Sequence, residues 1–376
     1  MSGRLRLLPS GALEVEVTGH DVEEMFARVR VLSARENVAR LGRDLGYRVE
    51  DAAEVHVEGA PDPELAARWL RRRLPSGAAV ECVRGEPPMR MTARLESRRP
   101  EIDRRYAVGE DGRVAVESVE LHVIEHCNLR CAQCCNVSPY LADRALSVEA
   151  VRATCTRLRS ALRPDVLKIM GGEPLLHPDI GGVLRAARES EVAPRVRLFT
   201  NGLFLRSMSD EAFAALDELT VSRYASAPVK DDVIAETAER ARRFDVVLNV
   251  KDVASFSTVL VAEPRSADEI RATYDACWLR HRCLVVRGGA FYKCTRAAYH
   301  ADFHRRVAIA GADDAPERTQ SSLGIPLDAA DFAERVATHL SSPEPLASCT
   351  HCLGSTGPLA PHVQLRKRDV AAGLLS

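Results

Sequence analysis

Apolar and polar residues alternate in two rhythms along this chain. Near the amino terminus, short runs such as LEVEV (13–17), EVHVEG (54–59) and AAVECV (78–83) are separated by helix-like stretches near 21–45 and 63–74. Period-two runs mark strands and a 3.6-residue period marks helices. Residues 1–112 are therefore expected to form a small α/β domain, whose role the pattern leaves open. The Arg-rich stretches Arg68–Arg73 and Arg98–Arg105 read as a solvated helix face and a linker, with contact to an acidic partner as the alternative. A Glu110-Asp111-Gly112 turn between RRYAV and RVAVESVELHVIE predicts a hairpin leading into the next domain.

From 113 the pattern becomes strand, loop, helix, repeated. VELHVI (119–124) is followed by a helix from Ser147, in which Val148, Val151, Cys155, Leu158 and Leu162 recur at spacings of 3 and 4 residues. VLKIM (166–170), a helix after His177-Pro178, RVRLFT (195–200), a helix near 209–217, ELTVSRY (218–224), a helix near 231–243 and VVLNVK (246–251) continue the series. Strands alternating with helices predict a parallel sheet, and a partial (β/α)6 TIM-like barrel is the natural closure over 113–265. Active residues of such folds sit at the carboxyl ends of the strands. From 266 the alternation stops: SADEIRATYDAC reads as a helix, CLVVRGGAFYKC as a hairpin around Gly288-Gly289, and a loop-rich stretch ends in SCTHCLG. Residues 266–376 hold five cysteines and too few apolar runs for a large core, so a bound metal or cluster is expected to shape them.

Composition narrows the chemistry. The 376 residues carry 52 basic and 53 acidic side chains, a net charge of -1, so no global field draws the chain to nucleic acid or an anionic membrane, and neither is expected as a partner. The opening MSGRLRLLPSGALEVEV lacks the apolar stretch of a signal peptide and no run is long enough to span a bilayer, so a cytoplasmic location is expected. In that compartment thiols stay reduced. The 11 cysteines then point to metal or cluster ligation rather than disulfides.

Cys127, Cys131 and Cys134 form C-x-x-x-C-x-x-C just past the first strand of the repeat. Three thiolates on one loop can hold three irons of a [4Fe-4S] cube and leave the fourth iron open, whereas a closed cluster takes four. A zinc loop is the alternative, although zinc sites of this type usually pair two C-x2-4-C units. Gly171-Gly172-Glu173-Pro174 follows the second strand, Thr200-Asn201-Gly202 ends the third, and Ser222-Arg223 ends the fourth. The loop and these motifs, in this order over roughly 115–255, resemble the radical S-adenosylmethionine (SAM) superfamily. The resemblance implies that the open iron chelates SAM and that reductive cleavage yields a 5'-deoxyadenosyl radical. It implies SAM contacts at Gly171, Gly172, Glu173 and Pro174, at Thr200 and Asn201, and at Ser222 and Arg223. The glycines would bring backbone close to the ligand, and Glu173 would offer charge complementarity. One departure is Gln133, where the family commonly has an aromatic residue beside the adenine; Tyr140 is a substitute for it.

Cys277, Gly289, Cys294, Cys349 and Cys352 form C-x11-G-x4-C followed by C-x2-C, similar to the twitch form of the SPASM/twitch extension. That resemblance implies one auxiliary [4Fe-4S] cluster closed by four thiolates, with Cys283 competing with Cys277 as a ligand and a structural zinc as the alternative. Cys155 and Cys82 read as core. Cys135, and whichever of Cys277 and Cys283 is unligated, are candidate hydrogen donors to a substrate radical.

Relatives with a single twitch cluster include aminocyclitol and aminoglycoside dehydrogenases, and related sugar enzymes are epimerases. The implied function is radical SAM dehydrogenation or epimerisation of a sugar or cyclitol. The one-electron donor would be external, such as a flavodoxin or ferredoxin. Modification of a ribosomally made peptide and a non-catalytic zinc or iron-sulfur scaffold are the competing readings.

Overall fold

The structure, a computed structural model, describes residues 3–7, 13–19, 52–60, 62–71, 79–86, 89–95, 105–309 and 313–375. The helix expected at 21–45 and the arginines at 72, 73, 98, 99 and 104 lie outside the described residues. The chain divides into two compact units: residues up to 101 together with 249–251, and residues 102–248 with 252–376.

The first unit holds strands β1 (Gly3–Leu7), β2 (Leu13–Gly19) and β3 (Ala52–Ala60), helix α1 (Pro63–Arg71), and strands β4 (Ala79–Arg84) and β5 (Met89–Leu95). They build one five-stranded sheet in the order β1-β2-β5-β3-β4, antiparallel except where β4 runs parallel to β3. A parallel neighbour needs a crossover, and α1 supplies it. Val55, Val57, Ala66, Leu70 and Met91 are buried between helix and sheet.

The second unit is built on β6 (Val114–Ile124), α2 (Val148–Ala161), β7 (Leu162–Gly171), α3 (Ile180–Glu189), β8 (Arg195–Thr200), α4 (Asp210–Ala214), β9 (Glu218–Tyr224), α5 (Asp231–Arg243) and β10 (Val247–Val253). Strands β8 and β9 coincide with the expected runs, and α2 starts where Ser147 caps it by accepting from the Ala150 N–H. β6 to β7, β7 to β8 and β8 to β9 are parallel, so the carboxyl ends of these four strands share one edge.

After β10 come β11 (Ser255–Ser257), α6 (Ala267–Ala276), β12 (Val285–Arg287), β13 (Ala290–Tyr292), α7 (Thr295–Ala298), α8 (His300–Arg306), α9 (Pro316–Leu323), β14 (Gly324–Pro326), α10 (Phe332–Ser341) and β15 (Leu359–Pro361). The hairpin expected at Gly288-Gly289 is β12–β13. Its place was not foreseen. β12 pairs in parallel with β6, so the central sheet runs β10-β9-β8-β7-β6-β12-β13-β14 and residues 266–376 share one unit with the strand–helix repeat rather than forming a separate domain.

The reason lies in β6. Its alternate residues Val119, Leu121 and Val123 are apolar and buried, but Ser118, Glu120 and His122 on the opposite face are buried as well. A polar face is buried only when it finds partners, and the carboxyl-terminal half provides them. Ser118 Oγ donates to the Arg282 carbonyl (3.3 Å), the Glu120 N–H donates to the Leu284 carbonyl (2.7 Å), and His122 Nδ1 lies 2.6 Å from the Tyr299 hydroxyl. Lys168 of β7 bridges Glu120 (3.3 Å) and the Arg282 carbonyl (3.1 Å). Among the described residues no helix is long and apolar enough to cross a membrane.

Phe291 of β13 is fully buried and packs edge-on against Phe332 of α10. Truncating it to Ala is expected to cost about 3–5 kcal/mol. Because β12 and β13 extend the central sheet, the loss is expected as a shift of one cooperative transition of the second unit, checked by denaturation followed through far-UV circular dichroism and tryptophan fluorescence.

Candidate functional site

The carboxyl end of β6 opens into a loop that carries Cys127, Cys131, Cys134 and Cys135. Next to it, the turn after β7 is built on close backbone approach. Gly172 N–H donates to the Ile124 carbonyl (2.8 Å) and Glu173 N–H to the His126 carbonyl (3.0 Å). A Cβ on Gly171 would overlap the Ile124 carbonyl oxygen, and one on Gly172 the His126 carbonyl oxygen. The glycine pair therefore seats the start of the cysteine loop against the end of β7.

Glu173 is turned inward, where the sequence suggested a carboxylate presented to a ligand. It is 1% exposed, and its carboxylate accepts from the Leu175 N–H (3.0 Å), Thr200 Oγ1 (2.6 Å) and the Asn201 N–H (2.7 Å). It ties the end of β7 to the end of β8. Burial pushes its pKa up to about 7, against the three donated hydrogen bonds, which act to lower it. Asn201 extends the bracket: its Nδ2 donates to Asn128 Oδ1 (2.8 Å) and approaches Cys127 Sγ (3.8 Å). At the end of β9, Arg223 is paired with Asp231 (2.8 Å) and Asp252 (3.6 Å), so its charge is already compensated.

The three loop thiols lie within electrostatic range of one another. Two of them receive donors from the protein: the Leu129 N–H points at Cys127 Sγ (3.4 Å) and Gln364 Nε2 at Cys131 Sγ (3.7 Å), while the Val137 N–H donates to the Cys134 carbonyl (3.0 Å). Donors aimed at sulfur favour thiolates and tune iron-sulfur clusters, so this set suits a cluster with one iron left without a protein ligand. Without metal, burial pushes Cys127 and Cys131 up to about 12 and raises Cys134 too.

The residues expected beside the adenine are engaged elsewhere. Gln133 adopts a left-handed conformation (φ 59°), and its Oε1 accepts from the Leu260 N–H (2.9 Å). The Tyr140 hydroxyl donates to the Leu374 carbonyl. Sequence reasoning missed an aromatic group at this edge, in which Tyr224 is stacked on His362 at 4.5 Å with Phe256 edge-on to both. These three rings come from distant parts of the chain, and no local motif marks them.

A second cysteine set gathers from three places in the chain: Cys277 after α6, Cys294 before α7, and Cys349 and Cys352 on one turn. Cys277 is part of this set, and Gly354 packs beside its sulfur. Cys283 instead faces Glu120, Lys168 and Cys135 as well as Cys294. Cys294 Sγ accepts from the Ala297 N–H (3.4 Å) and Cys352 Sγ from the Gly354 N–H (3.2 Å). The four-sulfur donor set with backbone N–H groups turned toward it suits a closed cluster. Among the described residues no three His, Cys, Asp or Glu side chains converge tightly enough to grip a single metal ion. Cys155 is buried on the apolar side of α2, and Cys82 is half-buried on β4. Cys135 is exposed, and its thiol donates to Asn136 Oδ1 (3.3 Å).

Residues 121–228 match the radical SAM superfamily. The chain thus carries a radical SAM domain, with which SAM and a [4Fe-4S] cluster are implied. GTP 3',8-cyclase of Limosilactobacillus fermentum is 32% identical over 108 residues, 28% of this chain and 32% of that protein. GTP 3',8-cyclase of Streptomyces coelicolor is 33% identical over 141 residues, 36% of this chain and 40% of that protein. The chain therefore spans well under half the length of these curated relatives. Among solved structures, BtrN in complex with AdoMet and 2-DOIA is similar over 63% of this chain and 92% of that chain, with a TM-score of 0.38 and 18% identity. Streptococcus suis SuiB bound to S-adenosylmethionine is similar over 38% of this chain and 35% of that chain, with a TM-score of 0.30 and 16% identity.

Two predictions test the bracket. Gly172→Ala is expected to destabilise the metal-free protein by about 2 kcal/mol or more, because the cysteine loop must move away, and to lower the iron retained after reconstitution; denaturant midpoints and iron assays check both. Glu173 has a folded pKa of about 7 against an ordinary 4.5, so the folded state binds more protons than the unfolded one between these values. Metal-free wild type is therefore expected to lose on the order of 3 kcal/mol relative to E173Q as pH rises through that window, and none below it. Denaturation of both proteins across the window measures the difference.

Proposed function

We propose that the chain is a radical SAM enzyme with two iron-sulfur centres: one on Cys127, Cys131 and Cys134, and one auxiliary on Cys277, Cys294, Cys349 and Cys352. The observation that carries this reading is the separation of the cysteines into a local set of three and a non-local set of four, each with donors turned toward two of its sulfurs. Strands β6 to β10 are read as the wall of a partial (β/α)6 barrel and residues 266–376 as a twitch-like extension. When bound, the first cluster and SAM supply a 5'-deoxyadenosyl radical.

The chain's own residues then divide the remaining work. The Gly171–Pro174 turn and Asn201 shape the SAM site through the bracket on Glu173, while Arg223 and Ser222 flank it at the end of β9. Substrate is placed at the carboxyl ends of the strands, beside the exposed Cys135, and a sugar or cyclitol is the class we assign, giving dehydrogenation or epimerisation. In the redox-neutral branch, Cys135 or Cys283 would return a hydrogen atom to the substrate radical. The one-electron donor is external, a flavodoxin or ferredoxin. The second reading is cyclisation of a purine nucleotide, favoured by the GTP 3',8-cyclase matches.

Anaerobic reconstitution is expected to yield about eight irons per chain and dithionite-dependent 5'-deoxyadenosine. Replacing Cys127, Cys131 and Cys134 together by Ala should reduce 5'-deoxyadenosine to background while about four irons remain; unchanged cleavage would overturn the assignment. Turnover with aminocyclitols and sugars but not GTP favours the first reading, and GTP turnover the second. Solvent deuterium in a redox-neutral product identifies the thiol route, and a two-electron oxidised product without it identifies dehydrogenation.

A further inference from the structure

Arg296 is buried in the second unit, 6% exposed, two residues past Cys294. Its guanidinium lies 4.4 Å from the Phe303 ring centre, and its Nε and Nη1 have no hydrogen-bond partner. An arginine does not shed its proton, and an uncompensated buried charge costs several kcal/mol. Sulfurs and imidazoles lie in its electrostatic range: Cys352, Cys294, Cys135 and Cys349, and also His300, His304 and His351. None of these is an anion while the thiols are unligated. The neighbouring cations differ. Lys293 satisfies its Nζ with the Tyr274 hydroxyl (2.8 Å), the His339 carbonyl (3.0 Å) and the Ser342 carbonyl (2.9 Å), and Arg265 is held by Thr273 and the Cys352 carbonyl.

A guanidinium with unpaired donors in range of Cys352, Cys294 and Cys349 is compensated when those thiols are thiolates. We infer that Arg296 is the built-in counter-charge of the group bound by Cys277, Cys294, Cys349 and Cys352, donating toward its sulfurs and raising its reduction potential. The inference rests on the auxiliary cluster proposed above. It makes Arg296 a positioning and tuning residue. A cube held by four thiolates carries net negative charge, and a nearby cation with N–H groups turned to sulfur favours the reduced form. Cys135 also lies within range of the same guanidinium.

The test is a redox titration of the reconstituted enzyme without substrate, followed by electron paramagnetic resonance, in wild type, R296Q and R296K. The expected result is a lower auxiliary midpoint potential in R296Q, a potential nearer to wild type in R296K, and an unchanged potential for the cluster on Cys127, Cys131 and Cys134. Equal auxiliary potentials in wild type and R296Q, with both clusters loaded, would overturn the inference. So would equal shifts at both clusters, or failure of R296Q and R296K alike to load the auxiliary site, since a residue needed only for packing would behave that way. A wild-type chain that binds only about four irons, with no loss when the four cysteines are replaced, refutes the auxiliary cluster itself and is thereby distinguishable.

Discussion

One buried carboxylate holds the working edge of the second unit together. Glu173 accepts three hydrogen bonds from two strand ends, and a desolvated acceptor with all its donors in place is costly to disturb in either direction. Removing the acid strands buried donors, and moving the donors strands the acid. The glycine pair before it allows the β6 loop to rest on the same turn, and Asn201 reaches from the end of β8 to Asn128. Cysteine loop, glycine turn and Thr-Asn-Gly segment are therefore positioned by one another, and the parallel sheet only brings them to the same edge.

The second constraint is the polar face of β6. Parallel strands covered on both sides usually read as apolar runs, and Glu120 and His122 break that rule inside VELHVI. Lys168 gives Glu120 an ion-pair partner, and the Tyr299 hydroxyl lies against His122 Nδ1. The strand that carries the cluster loop at its tip is thus also the strand against which the carboxyl-terminal half is assembled.

The parts of this arrangement that are local in sequence were legible in it. The C-x3-C-x2-C loop, the Gly-Gly-Glu-Pro turn and strands β8 and β9 each fit within a dozen residues and follow from periodicity and turn chemistry. Spacing already favoured Cys277 over Cys283 without separating them, and the structure adds that Cys283, just before β12, lies in range of Glu120 and Lys168 where β12 pairs with β6. The inward turn of Glu173 was hidden because a Glu at a strand end reads as exposed until the donors of the next strand are in place. Gln133 looked like a gap in an adenine contact, yet its partner, Leu260, is separated from it by 127 residues. Polar residues alternating inside a strand predicted to be covered on both faces were the one available signal for Glu120 and His122.

The loop of Cys127–Cys134 is closed from the far end of the chain. Arg130 N–H donates to Gln364 Oε1 across 234 residues, Ala132 N–H to the Val363 carbonyl, and Gln133 N–H to the Leu375 carbonyl. The fixed shape of the loop is therefore a long-range property of the second unit: its backbone donors at 130, 132 and 133 are satisfied only when residues 363–375 have folded back onto it.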